Sequence, residues 1–206
     1  MSGADEPLQA LVFDLGGVIV PHDNDALYAR LASRCSAPNA MDLILAESPD
    51  ARYGTGEVGI PALHERFVTE LGYDGDWDLF VQDWCSHLGL DAGMLAFVEQ
   101  LARSRRVFLF SNTNQVHWDH VNRLSGGALG RLEAYLSHEI GAVKPDLEAF
   151  RLVAERAGVE PARSLFIDDR QDNVEAARRA GYQAAHFKDQ PSLEALLESR
   201  GVRWAS

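Results

Sequence analysis

The chain has 206 residues, 46% hydrophobic and 24% charged, with a formal net charge of −12 at pH 7. That balance suits one large globular domain, or a core carrying an inserted subdomain, and argues against a nucleic-acid partner, whose phosphates need a basic surface. No apolar run reaches the roughly 18–20 residues that span a bilayer. The acidic start Met1–Pro7 lacks the basic stretch of a signal peptide, so no membrane association and a cytoplasmic location are expected. Cys35 and Cys85 have no metal-like spacing and read as two free buried thiols.

The first element is the run Leu11-Val12-Phe13-Asp14, a buried parallel strand whose last residue presents a carboxylate before the glycine turn at Gly16-Gly17. About seventy residues then pass without a second convincing strand. Helical patterns occupy 24–34, 38–46, 60–72 and 76–88, with turn signals at Pro49, Gly54-Thr55-Gly56, Gly59 and Gly72. A structureless loop of that length does not fit a compact domain. Residues 21–92 are therefore expected to form a helical subdomain inserted into a core made of 1–20 and 93–206.

Beyond it, helix and strand alternate. A helix over 91–104 leads to a strand Arg106–Ser111, a helix over 113–125 and a short strand Ala134–Ser137. A helix over 146–157, a strand Ser164–Asp169, a helix over 170–180, a weaker strand Tyr182–Phe187 and a helix over 191–200 complete the chain. This rhythm predicts an α/β fold: a Rossmann-like parallel sheet covered on both faces, with the inserted α-helical subdomain.

In an open parallel sheet, ligands bind beyond the carboxyl ends of the strands. Three predicted strands end in polar groups at that edge: Asp14, Ser111-Asn112-Thr113 and Asp168-Asp169. Lys144 is one of two lysines in the chain, and Pro145 keeps it out of the helical region, so its side chain can be aimed from a loop. Each piece alone has a plainer reading. Ser111 can cap a helix, Lys144 can be a solvated surface group, and Asp169 can cap the helix after it. Two adjacent carboxylates at a buried strand end are harder to dismiss, since at ~4 Å their repulsion reaches several kcal/mol unless water or a cation screens it. Asp14, Asp168 and Asp169 together offer the hard oxygen donors that Mg²⁺ prefers. Ser111 and nearby amides can hold phosphate oxygens, with Lys144 balancing their charge. A positioned carboxylate, a metal and a cation around phosphate describe phosphoryl transfer.

The order of these motifs resembles the haloacid dehalogenase-like (HAD) superfamily. They stand here as Phe13-Asp14-Leu15-Gly16-Gly17-Val18, Ser111-Asn112-Thr113, Lys144-Pro145 and Ile167-Asp168-Asp169-Arg170-Gln171-Asp172-Asn173, with 21–92 matching the family's helical cap. The resemblance implies a Mg²⁺-dependent phosphomonoesterase in which Asp14 attacks phosphorus and becomes an aspartyl phosphate. It implies that Ser111, Asn112, Thr113 and Lys144 bind the phosphoryl group and that Lys144 also steadies Asp14. Asp169 would ligate Mg²⁺ directly, Asp168 through water, and Gly16 through its carbonyl, with Asn173 supporting the loop. The Phe-Asp-Leu-Gly start and Ser111-Asn112-Thr113-Asn114 are similar to a subgroup of sugar-phosphate phosphatases, one acting on α-glucose 1-phosphate. A small phosphorylated metabolite, such as a sugar phosphate, is the substrate this implies.

The chain departs from the family at Gly16, where most of its phosphatases carry the aspartate that protonates the leaving oxygen. General acid–base assistance is worth roughly 10²–10⁴-fold. Another residue or water donates the proton, the substrate carries a good leaving group, or the protein is not a phosphatase. His22 and Asp23, where the cap begins, can approach a leaving group or simply form a hinge. His117 and His120 lie one turn apart but lack a third metal ligand, so they read as exposed helix residues. Trp77, Phe80 and Trp84 read as cap core, and Arg52, Tyr53, Gly54 and Gly56 as a mobile cap loop facing the site. Two competing readings remain. A metal-free dehalogenase would use Asp14 against carbon, although the Asp168-Asp169 pair suits a metal better. A non-catalytic regulatory or binding protein would keep the HAD scaffold without the acid. Phosphonate hydrolysis needs a cap lysine, and 21–92 contains none.

Overall fold

Five short strands place the polar strand ends side by side. The structure, a computed structural model, describes residues 8–47 and 51–204, so the acidic start and the turn signal at Pro49 lie outside the described residues. The strands are β1 (Ala10–Phe13), β2 (Arg106–Ser111), β3 (Glu133–Leu136), β4 (Ser164–Asp168) and β5 (Gln183–His186). They pair in parallel in the order β3-β2-β1-β4-β5. β1 is central and buried on both faces, which is why it reads as an unbroken apolar run. Its side chains alternate. Ala10 and Val12 pack with Phe108, Phe110 and Phe166 on one face, while Leu11 and Phe13 pack with Leu109 and Ile167 on the other.

Between β1 and β2 the chain forms α1 (Asn24–Ala32), α2 (Ala40–Glu47), α3 (Ala51–Gly54), α4 (Ile60–Leu71) and α5 (Trp77–Cys85). These helices share a separate apolar cluster containing Leu27, Leu31, Leu63, Phe67, Tyr73 and Phe80. Phe80 is fully buried and stacks with Trp77 and Trp84 at centroid distances of 6.3 and 5.9 Å. Burying a side chain of that size is worth roughly 1.5–3 kcal/mol. α4 is bracketed by sequence signals that the structure uses: Pro61 in its first turn and Gly72 in the left-handed conformation at its end, φ 66°.

The remaining helices are α6 (Ala92–Ala102), α7 (Gln115–Leu124), α8 (Ser137–Ile140), α9 (Leu147–Ala157), α10 (Gln171–Arg179) and α11 (Gln190–Ser199). α6, α7 and α11 cover the Leu11 face, and α9 and α10 cover the Val12 face. Among the described residues, no helix is long and apolar enough to cross a membrane. Both cysteines are free; Cys85 is buried and Cys35 half-buried.

Several boundaries differ from expectation, for local reasons. The helix expected over 76–88 ends at Cys85, because the chain must extend to pair with the segment entering the helical insert. There His22 bridges Leu88, Gly89 N–H donates to Pro21 O at 2.8 Å, and Asp23 N–H donates to His87 O at 3.2 Å. The helix expected from 113 starts at Gln115, since Asn114 rather than Ser111 accepts the His117 N–H as its cap. α3 and α8 are single turns, too short for any periodic pattern to announce.

Candidate active site

The chain order makes the cleft. β2 and β3 lie on one side of β1, and β4 and β5 on the other, so the β1–β4 boundary is where connections reverse direction and a crevice opens. Asp14 stands there, its N–H bonded to Ile167 O at 2.8 Å and its Oδ1 accepting the Leu15 N–H at 2.7 Å. Gly17 turns the chain away with φ 68°. A Cβ at Gly17 would fall 2.1 Å from Asp169 Oδ2, so only glycine lets the two loops approach this closely.

Lys144 reaches the same point from the turn before α9. Asn112 fixes its backbone through both amide atoms: Oδ1 accepts Lys144 N–H at 2.8 Å and Nδ2 donates to Lys144 O at 2.7 Å. The ammonium meets Asp14 Oδ1 at 2.8 Å, Asp168 Oδ2 at 2.7 Å and Phe110 O at 2.9 Å. It also lies 5.1 and 5.2 Å from the rings of Phe110 and Phe166. Far from being a surface lysine, Lys144 is 4% exposed with a complete set of partners.

Asp168 is fully buried, and Arg170 N–H, Lys144 and Asn173 Nδ2 occupy its two oxygens. Asp169 is half-buried on the cleft wall. One oxygen from each of Asp14, Asp168 and Asp169 lies within 4.8 Å of the others, and these are the acid, histidine or cysteine residues that group this way among the described residues. Three carboxylates thus face one ammonium. Burial pushes the Asp14 carboxyl up to about 7, against the pull of Lys144 and with a further push from Asp168. Asp169 is raised too, first by burial and then by Asp168. Asn173 Oδ1 is buried without a hydrogen-bond partner. Excess negative charge and an unpartnered oxygen fit a divalent cation with oxygen ligands.

The other predicted site residues separate. Ser111 is buried at the end of β2 and lines the cleft. Asn112 also lines it, but its side-chain amide is committed to Lys144. Thr113 N–H donates to Ser137 Oγ at 2.9 Å, so that amide is engaged within the protein. Asn173 also lines the cleft, and its Nδ2 donates to both oxygens of Asp168.

The cleft widens into a cavity of about 860 Å³ between the sheet edge and the inserted helices. Two expectations are corrected there. His117 is not an exposed helix residue: its Nδ1 accepts from Asn114 Nδ2 at 3.2 Å, its Nε2 donates to Trp84 O at 3.1 Å, and its ring stacks on Trp84. Burial, with His87 nearby, holds its pKa down to about 3. The segment around Gly54 does face the cavity through Tyr53 and Gly54, but as a pinned turn rather than a loose loop. Ser137 Oγ donates to Gly54 O at 2.6 Å, and a Cβ on Gly56 would lie 2.5 Å from His138 O. Asn24, Tyr28 and His87 also line the cavity. In sequence they look like any other polar or aromatic residues near helix ends.

A parallel sheet of this order, with acidic strand ends and a buried lysine at its crevice, defines a class of α/β hydrolytic scaffold. The sequence profile of the haloacid dehalogenase-like hydrolase family matches residues 8–181, and the chain belongs to that family. It is 26% identical over 185 residues to the D-ribitol-5-phosphate phosphatase of Bacteroides thetaiotaomicron, covering 85% of this chain and 90% of the relative. Sesquiterpene phosphatase astK of Aspergillus oryzae is 23% identical over 205 residues, covering 93% and 95%. The fold is shared with a HAD family enzyme from Bacteroides thetaiotaomicron crystallised with magnesium and inorganic phosphate. The TM-score is 0.79 at 24% identity, over 90% of this chain and 98% of that one.

Proposed function

We propose that this hydrolase is a Mg²⁺-dependent phosphomonoesterase with Asp14 as nucleophile. The observation that carries the reading is the under-compensated cluster at the cleft floor, where Asp14, Asp168 and Asp169 share Lys144. Oδ1 of Asp14 is held by Leu15 N–H and Lys144, which aims Oδ2 at an incoming phosphorus. Attack forms an aspartyl phosphate as the ester P–O bond breaks, and water then releases phosphate and restores Asp14. Lys144 favours the ionised form of Asp14 and offsets part of the effect of its burial. The Ser111 hydroxyl holds a phosphoryl oxygen, assisted by the backbone of Asn112, while Thr113, whose N–H donates to Ser137, lines the cleft beside it. Asp14 and Asp169, with the Gly16 carbonyl, would hold Mg²⁺, and Asp168 would act behind them. When bound, the ion supplies charge neutralisation to the phosphoryl oxygens.

The helical insert, 21–92, serves as a cap over a core of 1–20 and 93–206. Among the described residues, its cavity-lining side chains include Asn24, Tyr28, Tyr53, Trp84 and His87 but no Lys, Arg, Asp or Glu. Trp84 Nε1 and His87 Nδ1 are buried without partners. Such a wall suits a small phosphorylated metabolite whose organic part is uncharged and hydroxyl-bearing, a sugar or polyol phosphate. The ribitol phosphate relative supports the same class.

A panel of sugar, polyol and aryl phosphates tests this by phosphate release. The expected result is turnover that EDTA abolishes, Mg²⁺ restores, and Asp14→Asn lowers by about 10³-fold or more. No turnover across the panel at full metal occupancy would refute the reading. Chloride release from 2-chloropropionate in EDTA would replace it with attack on carbon.

A further inference from the structure

We propose that His22 delivers the proton to the leaving oxygen that Gly16 cannot supply, an assignment that rests on the phosphomonoesterase reading. The backbone at Gly16 is not in the positive-φ region, so nothing in its conformation demands glycine. A side chain built there would meet the ring of His22, with Cε1 at 3.6 Å and Nδ1 at 3.7 Å from the Cβ position. The imidazole therefore borders the space that a carboxylate at position 16 would enter.

The chain also holds it there. His22 bridges Leu88 where the segments entering and leaving the helical insert pair, and the bonds Gly89 N–H to Pro21 O and Asp23 N–H to His87 O flank it. The ring lines the same cavity as Asp14 and Ser111, and it forms no hydrogen bond within the described residues. Two of its neighbours are otherwise engaged, and the free Nδ1 of His87 is buried. Asp23 accepts the Ala26 N–H at 2.9 Å as the cap of α1. His117 has both nitrogens bonded. His87 is half-buried, and burial together with His22 lowers its pKa to about 4.

In the first half-reaction, Asp14 Oδ2 bonds to phosphorus while the P–O ester bond breaks with its electron pair to the leaving oxygen. That oxygen takes the proton from a His22 ring nitrogen. In the second, the neutral imidazole takes a proton from the water that attacks the aspartyl phosphate. This frees Asp14 and inorganic phosphate and returns His22 to its starting state.

The test compares ribitol 5-phosphate, whose alkoxide leaves poorly, with 2,4-dinitrophenyl phosphate, whose phenolate needs no proton. His22→Gln keeps a polar side chain but has no transferable proton. It should lower kcat/KM on the alkyl ester about 10²-fold and on the aryl ester less than about threefold. Adding Gly16→Asp to that variant should restore at least about tenfold on the alkyl ester alone. Because His22 is exposed, an unchanged melting temperature is expected and separates chemistry from folding. Equal losses on both esters, or none on the alkyl ester, would overturn the assignment. So would a wild-type protein that cleaves only the aryl ester, which would leave the phosphatase reading standing. A wild type that cleaves neither, nor any other sugar, polyol or aryl phosphate of the panel, would remove both.

Discussion

The helical insert and the sheet core each bury an aspartate completely beside cationic side chains, and they treat its charge in opposite ways. In the insert, Asp83 meets Arg30 Nε at 2.7 Å, Arg34 Nε at 3.3 Å and the Tyr73 hydroxyl at 2.9 Å. Both arginines keep much of their side chains in water, 45% and 36% exposed. That carboxylate is fully compensated, and its cations stay partly hydrated. In the core, Lys144 is almost wholly dehydrated and serves Asp14 and Asp168 at once, with Asp169 close by. Removing two charges from water costs more than their attraction returns unless every lone pair is met. The insert meets that condition internally. The core does not, and its surplus negative charge opens onto a cavity. A buried aspartate matched by its own neighbours is architecture; one left under-matched beside a cleft is prepared for a ligand.

The largest expected contrast lies between removing the charge at each place. Asp14→Asn should eliminate turnover yet leave the melting temperature of the metal-free protein equal or higher, since burial already pushes that carboxyl up to about 7. Loss of stability alongside activity would mean that the core cluster is as structural as the one in the insert. Asp83→Asn should do the reverse. It weakens the acceptor for two arginines and Tyr73, at about 1–3 kcal/mol, or a drop of several degrees by the scaling for a chain of this size. Its kcat should stay within about threefold, because Asp83 touches no group of the cleft. Turnover lost without a thermal shift would break the comparison.

The smallest effect is a pH dependence. The folded-state pKa of His117 is about 3 against an ordinary 6.5, because burial disfavours the charged ring. The unfolded chain therefore takes up the proton first as pH falls. The stabilisation is fully present above about pH 6.5 and declines as pH drops toward the folded value. Melting temperatures between about pH 7 and 5 should fall less steeply for His117→Gln than for wild type. Parallel slopes would show that His117 is not held neutral.

Much of this was readable in advance, and the misses share a cause. The runs ending at Asp14, Ser111 and Asp168 announce their strands because doubly buried parallel strands are apolar throughout. The same runs locate the cleft edge, since polar residues can follow them only where the sheet opens. The lack of strand patterns after β1 announces the helices α1 to α5 found there. Nothing in the sequence showed that the side-chain amide of Asn112 clamps the Lys144 backbone across 32 positions. His117 carried no sign of burial, because what covers it is Trp84 from the helical insert. The turns α3 and α8 form where one pins the other through Ser137 and Gly54.

The sequence by itself determined the parallel core, the inserted helices and the order of the polar strand ends. Strand burial, helix periodicity and turn chemistry are written over a few neighbouring residues, and composition alone reveals them. Which acids share a cation, and what stands opposite Gly16, was decided only by the tertiary structure. Coulomb interactions and hydrogen bonds act through space over a few ångströms, between groups that the chain separates by dozens of residues. Lys144 belongs to Asp14 and Asp168, and His22 to the open side of Gly16, because the fold brings them within that range.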